Sequence, residues 1–370
     1  MTAAAAPSRV SELDTPALII DLNVMERNLA RLADYARGHG LRWRPHTKTH
    51  KIPALARRQI ELGAAGLTVA KVGEAEVMLD ANPPDLLVAY PIVGRSKLDR
   101  LMQVARRANV TVSLDSMSVA QPLSEAARAA DIEVGVLAEV DVGLGRVGVR
   151  PADVLKLAQD VARLSRLRFE GIAFYPGHIK RMDDEGARAL ERVGQILEPV
   201  LRELRNAGLE PRIVSGGSTP TLFYSQLVAG LNEIRPGTYI FNDRNTVLCG
   251  ACAWADCAAS ILMTVVSTAK TGQIIIDGGS KTFSSDRPVT DGDPTFGHLV
   301  EAPEARFTKM NEEHGFVDIR DAGRAFAVGD RLRIVPNHIC VAMNLHERVY
   351  GVRDEAVERT WRVDGRGKLQ

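Results

Sequence analysis

Eight short apolar segments alternate with amphipathic stretches between residues 41 and 241. They are LRWRPH, GLTVA, LLVAYP, VTVSLD, EVGVLAEVD, FEGIAFYPG, PRIVSGG and EIRPGTYIF. Continuous apolar runs of this length are typical of strands buried on both faces, and such strands alternating with helices form parallel sheets. The count of eight predicts an α/β fold with a closed (β/α)₈ barrel of TIM type, with a doubly wound open sheet as the alternative.

The pattern changes after about residue 250, where strand-like runs are separated by turn residues with almost no helical period. The runs are ILMTVVSTA, QIIIDGG, RLRIVP, ERVYGVR and ERTWRV. The early run TPALIIDL has no helix before it, and a capping box of Asn23 and Glu26 predicts that a helix follows it to about His39. We therefore predict a barrel over residues 23–248, and a β-rich domain built from residues 1–22 and 249–370.

The charge of the chain is balanced, with 47 Lys and Arg against 46 Asp and Glu among 370 residues. The arginines are scattered among acidic residues, so nucleic acid is not expected as a partner. There is no run of roughly 18 apolar residues and no charged N-terminal segment followed by an apolar one, which predicts a cytoplasmic protein without a membrane role. The four cysteines are too few for a secreted disulfide framework and are expected to be reduced.

The most chemically distinctive segment follows the first barrel strand and reads RPHTKTHK. Functional groups of barrels gather at the carboxyl ends of the strands, and Lys48 lies there among other basic residues. Although most lysines are solvated surface groups, crowding by cations favours the neutral amine that forms a Schiff base. Lys48 is therefore the predicted catalytic lysine.

Two glycine-containing loops follow the seventh and eighth strands, the usual phosphate site of barrels. A Gly-Gly-Ser loop by itself is more often a plain turn, but its position in the strand order favours a phosphate site. The candidate residues are Gly216, Gly217, Ser218, Thr219, Gly237, Thr238 and Tyr239. After the fifth strand, the sequence DVGLGRVG presents Arg146, either as a surface arginine on a tight turn or as a donor to an anionic cofactor oxygen.

With these motifs in place, the chain resembles the D-threonine aldolase and D-serine dehydratase family of fold-type III pyridoxal-phosphate enzymes, whose barrel is shared with alanine racemase. The resemblance rests on motifs that occur in the family's order along nearly the whole chain, of which RPHxKxHK and PNHxC are the most specific. They are LDTPALIIDL, RPHTKTHK, DVGLGRVGV, FYPGHIK, SGGSTPT, RPGTYIFND, IDGGSK, NEEHG and PNHICVAMNLHE.

The resemblance implies roles for the candidate residues. Lys48 would carry pyridoxal 5′-phosphate, Arg146 would lie near its phenolate oxygen and Tyr175 would lie beside its ring. The glycine-containing loops would surround the phosphate. The likeness also implies a homodimer, with Glu313 and His314 reaching an active site, that of the partner subunit being one option.

His338 and Cys340, in the sequence PNHIC, match the family's metal ligands. If they lie on a strand, alternation places residues i and i+2 on one face, where an imidazole and a thiolate converge on one ion. Two protein ligands leave positions for water and substrate, as in catalytic sites. The metal would be Zn, Mn or Mg, and a thiolate favours zinc over magnesium. For the other three cysteines, Cys249, Cys252 and Cys257, buried packing is favoured over a zinc site.

Metal-assisted chemistry on a β-hydroxy amino acid can take two directions. Retro-aldol cleavage gives glycine plus an aldehyde or oxo-acid, whereas dehydration gives a keto acid and ammonia. His-x-Cys resembles the dehydratase branch, and the following MNLHE resembles the aldolase tail. We predict a D-3-hydroxy amino acid aldolase, a lyase of D-amino acid metabolism, with a D-serine or 3-hydroxyaspartate dehydratase second and an amino acid racemase third. A non-enzymatic cofactor-homeostasis protein would lack the β domain.

One departure from the aldolase pattern follows Tyr175. Aldolases tend to carry a histidine six residues on, and this chain has Arg181 there. His178 could supply the missing base, or Arg181 could bind a second substrate carboxylate, which would point to 3-hydroxyaspartate. The alternative for both is a solvated cluster at the start of a helix.

Overall fold

The computed structural model describes residues 7–288 and 294–370. The chain divides into two compact units. The barrel unit comprises Ala30–Gly237 and Gly367–Gln370, and the sheet unit comprises the chain up to Leu29 together with Thr238–Arg366. The division falls within the first helix.

The first strand, β1 (Ala17–Asp21), leads directly into helix α1 (Leu22–Gly38). The N–H of Val24 donates a hydrogen bond to Asp21 Oδ1 at 3.0 Å. Because the carboxylate at the end of the strand already satisfies this N–H of the first turn, Asp21 caps the helix. The capping box predicted from Asn23 and Glu26 is therefore wrong, although the helix itself and its length are as predicted.

Eight parallel strands build the barrel unit, in the order β2-β9-β8-β7-β6-β5-β4-β3. The N–H groups of Ala65 and Thr68 bond the carbonyls of Trp43 and Pro45 at 2.9 Å each, which brings β2 beside β3 and closes the sheet. Each strand overlaps one of the eight predicted segments, so the predicted barrel is confirmed. The strands are β2 (Arg42–Trp43), β3 (Leu67–Val69), β4 (Asp85–Val88), β5 (Asn109–Leu114), β6 (Val134–Val140), β7 (Leu167–Phe174), β8 (Ile213–Gly216) and β9 (Glu233–Ile234).

Helices follow the strands along the chain, and their apolar faces pack on the outside of the barrel. Strand residues such as Val112 and Val136 and helix residues such as Leu101, Leu123 and Leu197 are buried in one continuous core. The α-helices after α1 up to residue 248 are α2 (Pro53–Glu61), α3 (Val72–Met78), α4 (Arg95–Ala105), α5 (Met117–Ala130), α6 (Val154–Ala162), α7 (Asp184–Asn206) and, in the sheet unit, α8 (Arg244–Leu248). Short 3₁₀ helices are Val10–Glu12, Thr47–Thr49, Leu79–Ala81, Pro151–Asp153, Leu222–Leu227, Thr238–Ile240 and Trp254–Asp256.

The barrel unit also buries a charged cluster around Arg44. Its guanidinium donates to Glu233 Oε2 at 3.0 Å and pairs with Asp85, and Ser215 donates to the other Glu233 oxygen at 2.7 Å. Burial opposes ionisation of Glu233, but the charge of Arg44 and the Ser215 hydrogen bond lower the pKa of this carboxyl. Loss of Arg44 would leave the buried Glu233 carboxylate with only the Ser215 hydrogen bond and the more distant, partly exposed Arg42 at 3.5 Å, and would therefore destabilise the fold. The cluster ties β2, β4, β8 and β9 together.

Within its described residues, the sheet unit contains a mixed nine-stranded sheet in which the N-terminal strand is central. β1 pairs antiparallel with the strand at Ala259–Lys270 and parallel with the strand at Arg348–Arg353. The predicted β-rich domain completed by the N-terminal strand is therefore confirmed. Its other strands are β10 (Ala259–Lys270), β11 (Gln273–Ile276), β12 (Gly297–Leu299), β13 (Arg306–Met310), β14 (Gly315–Asp318), β15 (Arg331–Pro336), β16 (Arg348–Arg353) and β17 (Ala356–Arg362), with helices α9 (Ser280–Phe283) and α10 (Ile339–Leu345).

The sequence patterns did not identify β12, β13 and β14. These strands have three to five residues, and β13 carries several exposed side chains, so each gives a weak period-2 signal. Within residues 7–288 and 294–370, none of the helices combines the length and apolar character needed to cross a bilayer.

Candidate active site

Lys48 lies on a 3₁₀ turn, Thr47–Thr49, that follows β2. His46 caps the turn by accepting the N–H of Lys48 on Nδ1 at 3.4 Å. Thr47 and Thr49 are buried, whereas Lys48 is exposed. The second lysine of the motif, Lys51, is buried and pairs with Glu74 at 3.3 Å. Of the two lysines, only Lys48 therefore presents an amine that an aldehyde can reach.

The two histidines of the motif are held in their neutral forms. His50 accepts the N–H of Ile52 on Nδ1 at 3.1 Å, so its Nε2 donates to Gln59 at 3.2 Å. Burial lowers the pKa of His50 to about 4. Burial, with the charges of Lys48 and Arg235, holds the pKa of His46 well below its usual range. Because both histidines are neutral, fewer positive charges surround Lys48 than the sequence predicted.

The loop after β8 is shaped by small residues. A side chain at Gly216 would collide with the ring of Phe174, and Gly217 has a φ of +90°. Ser218 donates its N–H to Thr221 Oγ1 at 3.2 Å, and the two hydroxyl oxygens are 3.1 Å apart. These bonds fold the loop back on itself and leave its backbone at the carboxyl end of the strand, with Thr219 half-buried beside it.

Gly237 packs directly against the lysine turn. A Cβ atom there would lie 2.7 Å from Thr49 Oγ1 and 2.9 Å from the carbonyl oxygen of His46. The loop after the eighth strand and the turn carrying Lys48 therefore fit together only with glycine at this position. The chain continues into the sheet unit with Thr238 and the buried Tyr239, on the 3₁₀ helix Thr238–Ile240.

Asp141 holds the conformation of the loop after β6. Its Oδ1 accepts the N–H groups of Gly143 at 2.9 Å and Gly145 at 3.1 Å. The bonds from Gly145 and Gly143 lower the pKa of this carboxyl. The loop carries Arg146, whose guanidinium carbon lies 4.9 Å from the ring centroid of Tyr175. Arg146 and Tyr175 are therefore neighbours, as expected if both contact the same cofactor.

His178 and Arg181 follow Tyr175 on an exposed segment. The His178 ring lies against Gly143, since a Cβ atom at this glycine would be 3.3 Å from Cε1. The Arg181 side chain is exposed and makes no hydrogen bond or ion pair with any described residue. Helix α7 begins just beyond it, where Asp183 caps by accepting the N–H of Gly186 at 3.0 Å. His178 therefore contacts the loop that carries Arg146. Arg181 contacts no described partner through its guanidinium and lies just before helix α7.

Arg235 was missed by the sequence analysis. Its guanidinium is buried and donates from Nη2 to the carbonyl of Phe174 at 3.0 Å. Its Nη1 has no hydrogen-bond partner among the described residues. The charge of Arg235 contributes to the lowered pKa of His46. A buried donor left without a partner fits a site that an anionic or heteroaromatic group completes. The signal available was an arginine at the end of a buried strand, in RPG.

His338 and Cys340 do not lie on a strand, so the predicted i, i+2 strand geometry is wrong. Strand β15 ends at Pro336, His338 is the N-cap residue of α10 and Cys340 lies in its first turn. The two side chains are nevertheless in contact. The negative charge of Cys340 and the hydrogen bond that His338 donates to Asp243 raise the pKa of His338 to about 11, although burial opposes this. Thr238 Oγ1 lies 3.6 Å from Cys340 Sγ.

No group of three or more His, Cys, Asp or Glu side chains converges on a metal position within the described parts of the chain. Asp243 touches His338 but lies behind its ring, bonded to Nδ1 at 3.1 Å. Imidazole and thiolate are together a donor set for zinc rather than magnesium. The pair therefore fits a metal site with two protein ligands.

The remaining sequence candidates lie elsewhere in the sheet unit. The buried Cys249 thiol donates to the Thr246 carbonyl at 3.3 Å, and burial raises its pKa to about 11. Glu313 and His314 are exposed at the turn between β13 and β14, where Glu313 pairs with Lys281 at 2.9 Å. The contacts of Cys249 are those of a packed thiol, and those of Glu313 are a surface ion pair.

Comparison with known proteins agrees with the fold. A family model for the alanine racemase N-terminal domain matches residues 20–245, and a model for a serine dehydratase domain matches residues 258–352. A 3-hydroxy-D-aspartate aldolase of Paracoccus denitrificans (strain Pd 1222) is 34% identical over 372 residues, covering 97% of this chain and 93% of the relative.

Two solved structures are similar over nearly their whole length. The D-threonine aldolase of Filomicrobium marinum is 34% identical with a TM-score of 0.92, covering 100% of both chains. A D-threo-3-hydroxyaspartate dehydratase, solved as a cysteine-to-alanine mutant in the metal-free form, is 31% identical with a TM-score of 0.89, covering 96% of this chain and 99% of that one.

The protein is thus an alanine racemase-like barrel enzyme with an added sheet unit. The chain belongs to the D-threonine aldolase and D-serine dehydratase family, as its motifs predicted. The predicted lyase class is confirmed, and the predicted dependence on pyridoxal 5′-phosphate and a divalent metal is confirmed for this family.

Proposed function

We propose that this chain is a pyridoxal 5′-phosphate- and divalent-metal-dependent lyase that cleaves D-3-hydroxy amino acids. Its substrate would be D-threonine or a 3-hydroxyaspartate, and its products glycine plus an aldehyde or glyoxylate. The observation that carries the proposal is the exposed Lys48 amine on a turn packed against Gly237. The full-length likeness to aldolases of this substrate class supports the choice of reaction.

The residues around Lys48 fit the cofactor. Gly216, Gly217 and Gly237 carry no side chain that would keep a phosphate from the backbone, and Arg235 Nη1 is a buried donor without a partner among the described residues. Bound pyridoxal phosphate acts as an electron sink for the bonds to Cα of the substrate. Lys48 supplies the amine that holds the cofactor, the donors of the glycine loops position the phosphate, and Arg146 stays aligned with the Tyr175 ring.

The His338 and Cys340 pair fits a catalytic metal position, because two protein ligands leave room for substrate oxygen. A metal ion there would act as a Lewis acid towards the β-hydroxyl group. The related dehydratase, one form of which is described as metal-free, supports a metal role in enzymes of this kind. Thr238, whose hydroxyl lies 3.6 Å from the Cys340 sulfur, would help to fix the thiolate.

Arg181 and His178 would distinguish the substrates. An exposed guanidinium that pairs with none of the described residues can bind the second carboxylate of 3-hydroxyaspartate, which threonine lacks. His178, held against Gly143 on the Arg146 loop, would serve as a base. Arg181→Ala is expected to raise KM for 3-hydroxyaspartate about 10- to 100-fold and to leave KM for D-threonine within about threefold. Equal KM changes for both substrates would remove Arg181 from this role.

A dehydratase is the second candidate, favoured by the His-x-Cys ligand pair and by the related 3-hydroxyaspartate dehydratase. It would use the same groups to release ammonia and a keto acid. A racemase is third, because it would need a second base facing Lys48 and no metal.

The deciding experiment supplies D-threonine, D-serine and both diastereomer sets of 3-hydroxyaspartate to the purified enzyme with pyridoxal phosphate and Mn²⁺ or Zn²⁺. Glycine with acetaldehyde or glyoxylate establishes the aldolase, and ammonia with a keto acid establishes the dehydratase. Lys48→Ala serves as the blank. Racemised substrate without either product would refute both lyase proposals.

Two further features remain predictions from the sequence. We expect a homodimer and a cytoplasmic location. Light scattering of the purified protein tests the first, and fractionation of the source cells tests the second.

A further inference from the structure

Asp243 is completely buried, and its two carboxylate oxygens have different partners. Oδ1 accepts the N–H of Thr246 at 2.9 Å and caps α8. Oδ2 accepts from Nδ1 of His338 at 3.1 Å and from the N–H of Ile339 at 3.0 Å. One side chain therefore joins the start of α8 to the start of α10, where the metal-ligand pair lies.

The bond between Asp243 and His338 fixes where the imidazole carries its proton. A carboxylate accepts hydrogen bonds and has no hydrogen to give, so Nδ1 of His338 must be the donor. In a ring that is bound to a metal, the proton on Nδ1 leaves the lone pair on Nε2. The bond therefore selects both the tautomer and the rotation of the ring about its long axis.

The contacts also show that Asp243 is not itself a ligand. Both partners of Oδ2 are N–H donors, and Oδ1 is engaged at the helix cap. The Thr246 hydroxyl completes the helix cap. It accepts the Asp243 N–H and donates to the Asp243 carbonyl, each at 2.7 Å. A change at Thr246 therefore disturbs the cap without removing the contact between Asp243 and His338.

We propose that Asp243 is a positioning residue for metal binding, which holds His338 so that Nε2 faces the divalent cation together with the Cys340 thiolate. This inference rests on the proposed function, in which His338 and Cys340 bind the metal. Carboxylates that orient metal-binding histidines typically contribute 10- to 100-fold to metal affinity. Asp243 thereby sets the affinity of the site without touching the ion.

The test measures Zn²⁺ and Mn²⁺ binding to metal-free protein by competition with a chromophoric chelator, independently of turnover. Asp243→Asn keeps the size of the side chain, but it can place an amide N–H against the donors of His338 and Ile339. We expect D243N to weaken binding of both ions about 10- to 100-fold. His338→Ala should weaken it at least as much, and D243N added to H338A should cause no further loss, because the two changes act through one ligand.

Thr246→Ala is the matched control, since it disturbs the same helix cap and leaves the Asp243 carboxylate facing His338. T246A is expected to bind metal within about threefold of the unaltered protein. Equal losses in T246A and D243N would assign Asp243 to capping alone and overturn the proposal, as would unchanged metal affinity in D243N. If H338A binds metal normally, His338 is not a metal ligand, and the metal site of the proposed function is refuted. If H338A loses metal and D243N does not, only the role of Asp243 is refuted.

A second measurement needs no Asp243 variant and covers the case in which D243N does not fold. In zinc-loaded protein labelled with ¹⁵N-histidine, the chemical shifts of His338 identify the protonated and the metal-bound nitrogen. Protonated Nδ1 with metal on Nε2 is expected. Metal on Nδ1 would overturn the proposal.

Discussion

The backbone N–H of Lys48 donates to Nδ1 of His46 at 3.4 Å. Because burial first, and then the charge of Lys48, keep the pKa of His46 far below neutrality, the imidazole remains an acceptor at physiological pH. The turn that presents the amine is therefore held by a neutral histidine two residues earlier, and it does not depend on an ionised one.

Replacing Lys48 tests the central assignment. Lys48→Ala should abolish the visible absorbance of the bound cofactor and lower kcat/KM more than about 1,000-fold, because no other exposed amine occupies that turn. Absorbance titration with pyridoxal phosphate and a glycine-release assay measure the two effects. Lys156→Ala, on the exposed surface of α6, is the control and should retain both. A persistent cofactor band in K48A would contradict the assignment.

Gly237 should tolerate no side chain. Gly237→Ala places a Cβ atom 2.7 Å from Thr49 Oγ1 and 2.9 Å from a backbone oxygen, so the loop or the lysine turn must shift. We expect cofactor binding to weaken about tenfold or more, which corresponds to about 1.4 kcal/mol. Fluorescence quenching on cofactor titration measures this. Gly38→Ala, where an added Cβ meets nothing within 4 Å, should leave binding unchanged; a normal affinity in G237A would show that the loop is not part of the site.

Metal content should show that Cys340 binds the metal and that Cys249 does not. Chelation is expected to suppress turnover, with recovery on adding Zn²⁺ or Mn²⁺, because His338 and Cys340 leave ligand positions for substrate. Cys340→Ala should lower the metal content to below about a tenth of that in the unaltered protein. Cys249→Ala should retain its metal, since the Cys249 thiol is buried and bonded to Thr246. Elemental analysis of dialysed proteins gives the ratio, and loss of metal in C249A alone would contradict this assignment.

His50 should make the protein less stable in acid. Its pKa is lowered from 6.5 to about 4 by burial, so the unfolded chain binds more protons than the folded one between these values. Stability from this residue is therefore fully present above about pH 6.5 and is lost as the pH falls towards 4, by on the order of 3 kcal/mol. Urea unfolding of cofactor-free protein at several pH values measures the loss.

The control for this prediction is a variant that does not titrate. Asn at position 50 keeps an acceptor for Ile52, so His50→Asn should show a smaller loss between pH 6.5 and 4.5 than the unaltered protein. His314→Asn, at an exposed position, should follow the unaltered protein. If the H50N and unaltered proteins lost stability in parallel, the buried histidine would not be the cause.

The sequence by itself determined the barrel and the addition of the N-terminal strand to the second sheet, and it predicted Lys48 as the lysine that carries the cofactor. These follow from local rules, because apolar strands alternating with helices specify a parallel sheet, and the carboxyl ends of its strands locate the functional loops. The short strands β12 to β14 were not predicted, because three to five residues with exposed side chains carry little periodicity.

Only the tertiary structure decided which groups meet and in which protonation state. It separated Lys48 from Lys51 by burial, made His46 and His50 neutral, and brought Arg235 and Asp243 to their partners across 60 or more residues. It also moved His338 and Cys340 from a strand to the start of a helix. Burial, desolvation and long-range contacts arise from packing, so no local pattern of residues encodes them directly.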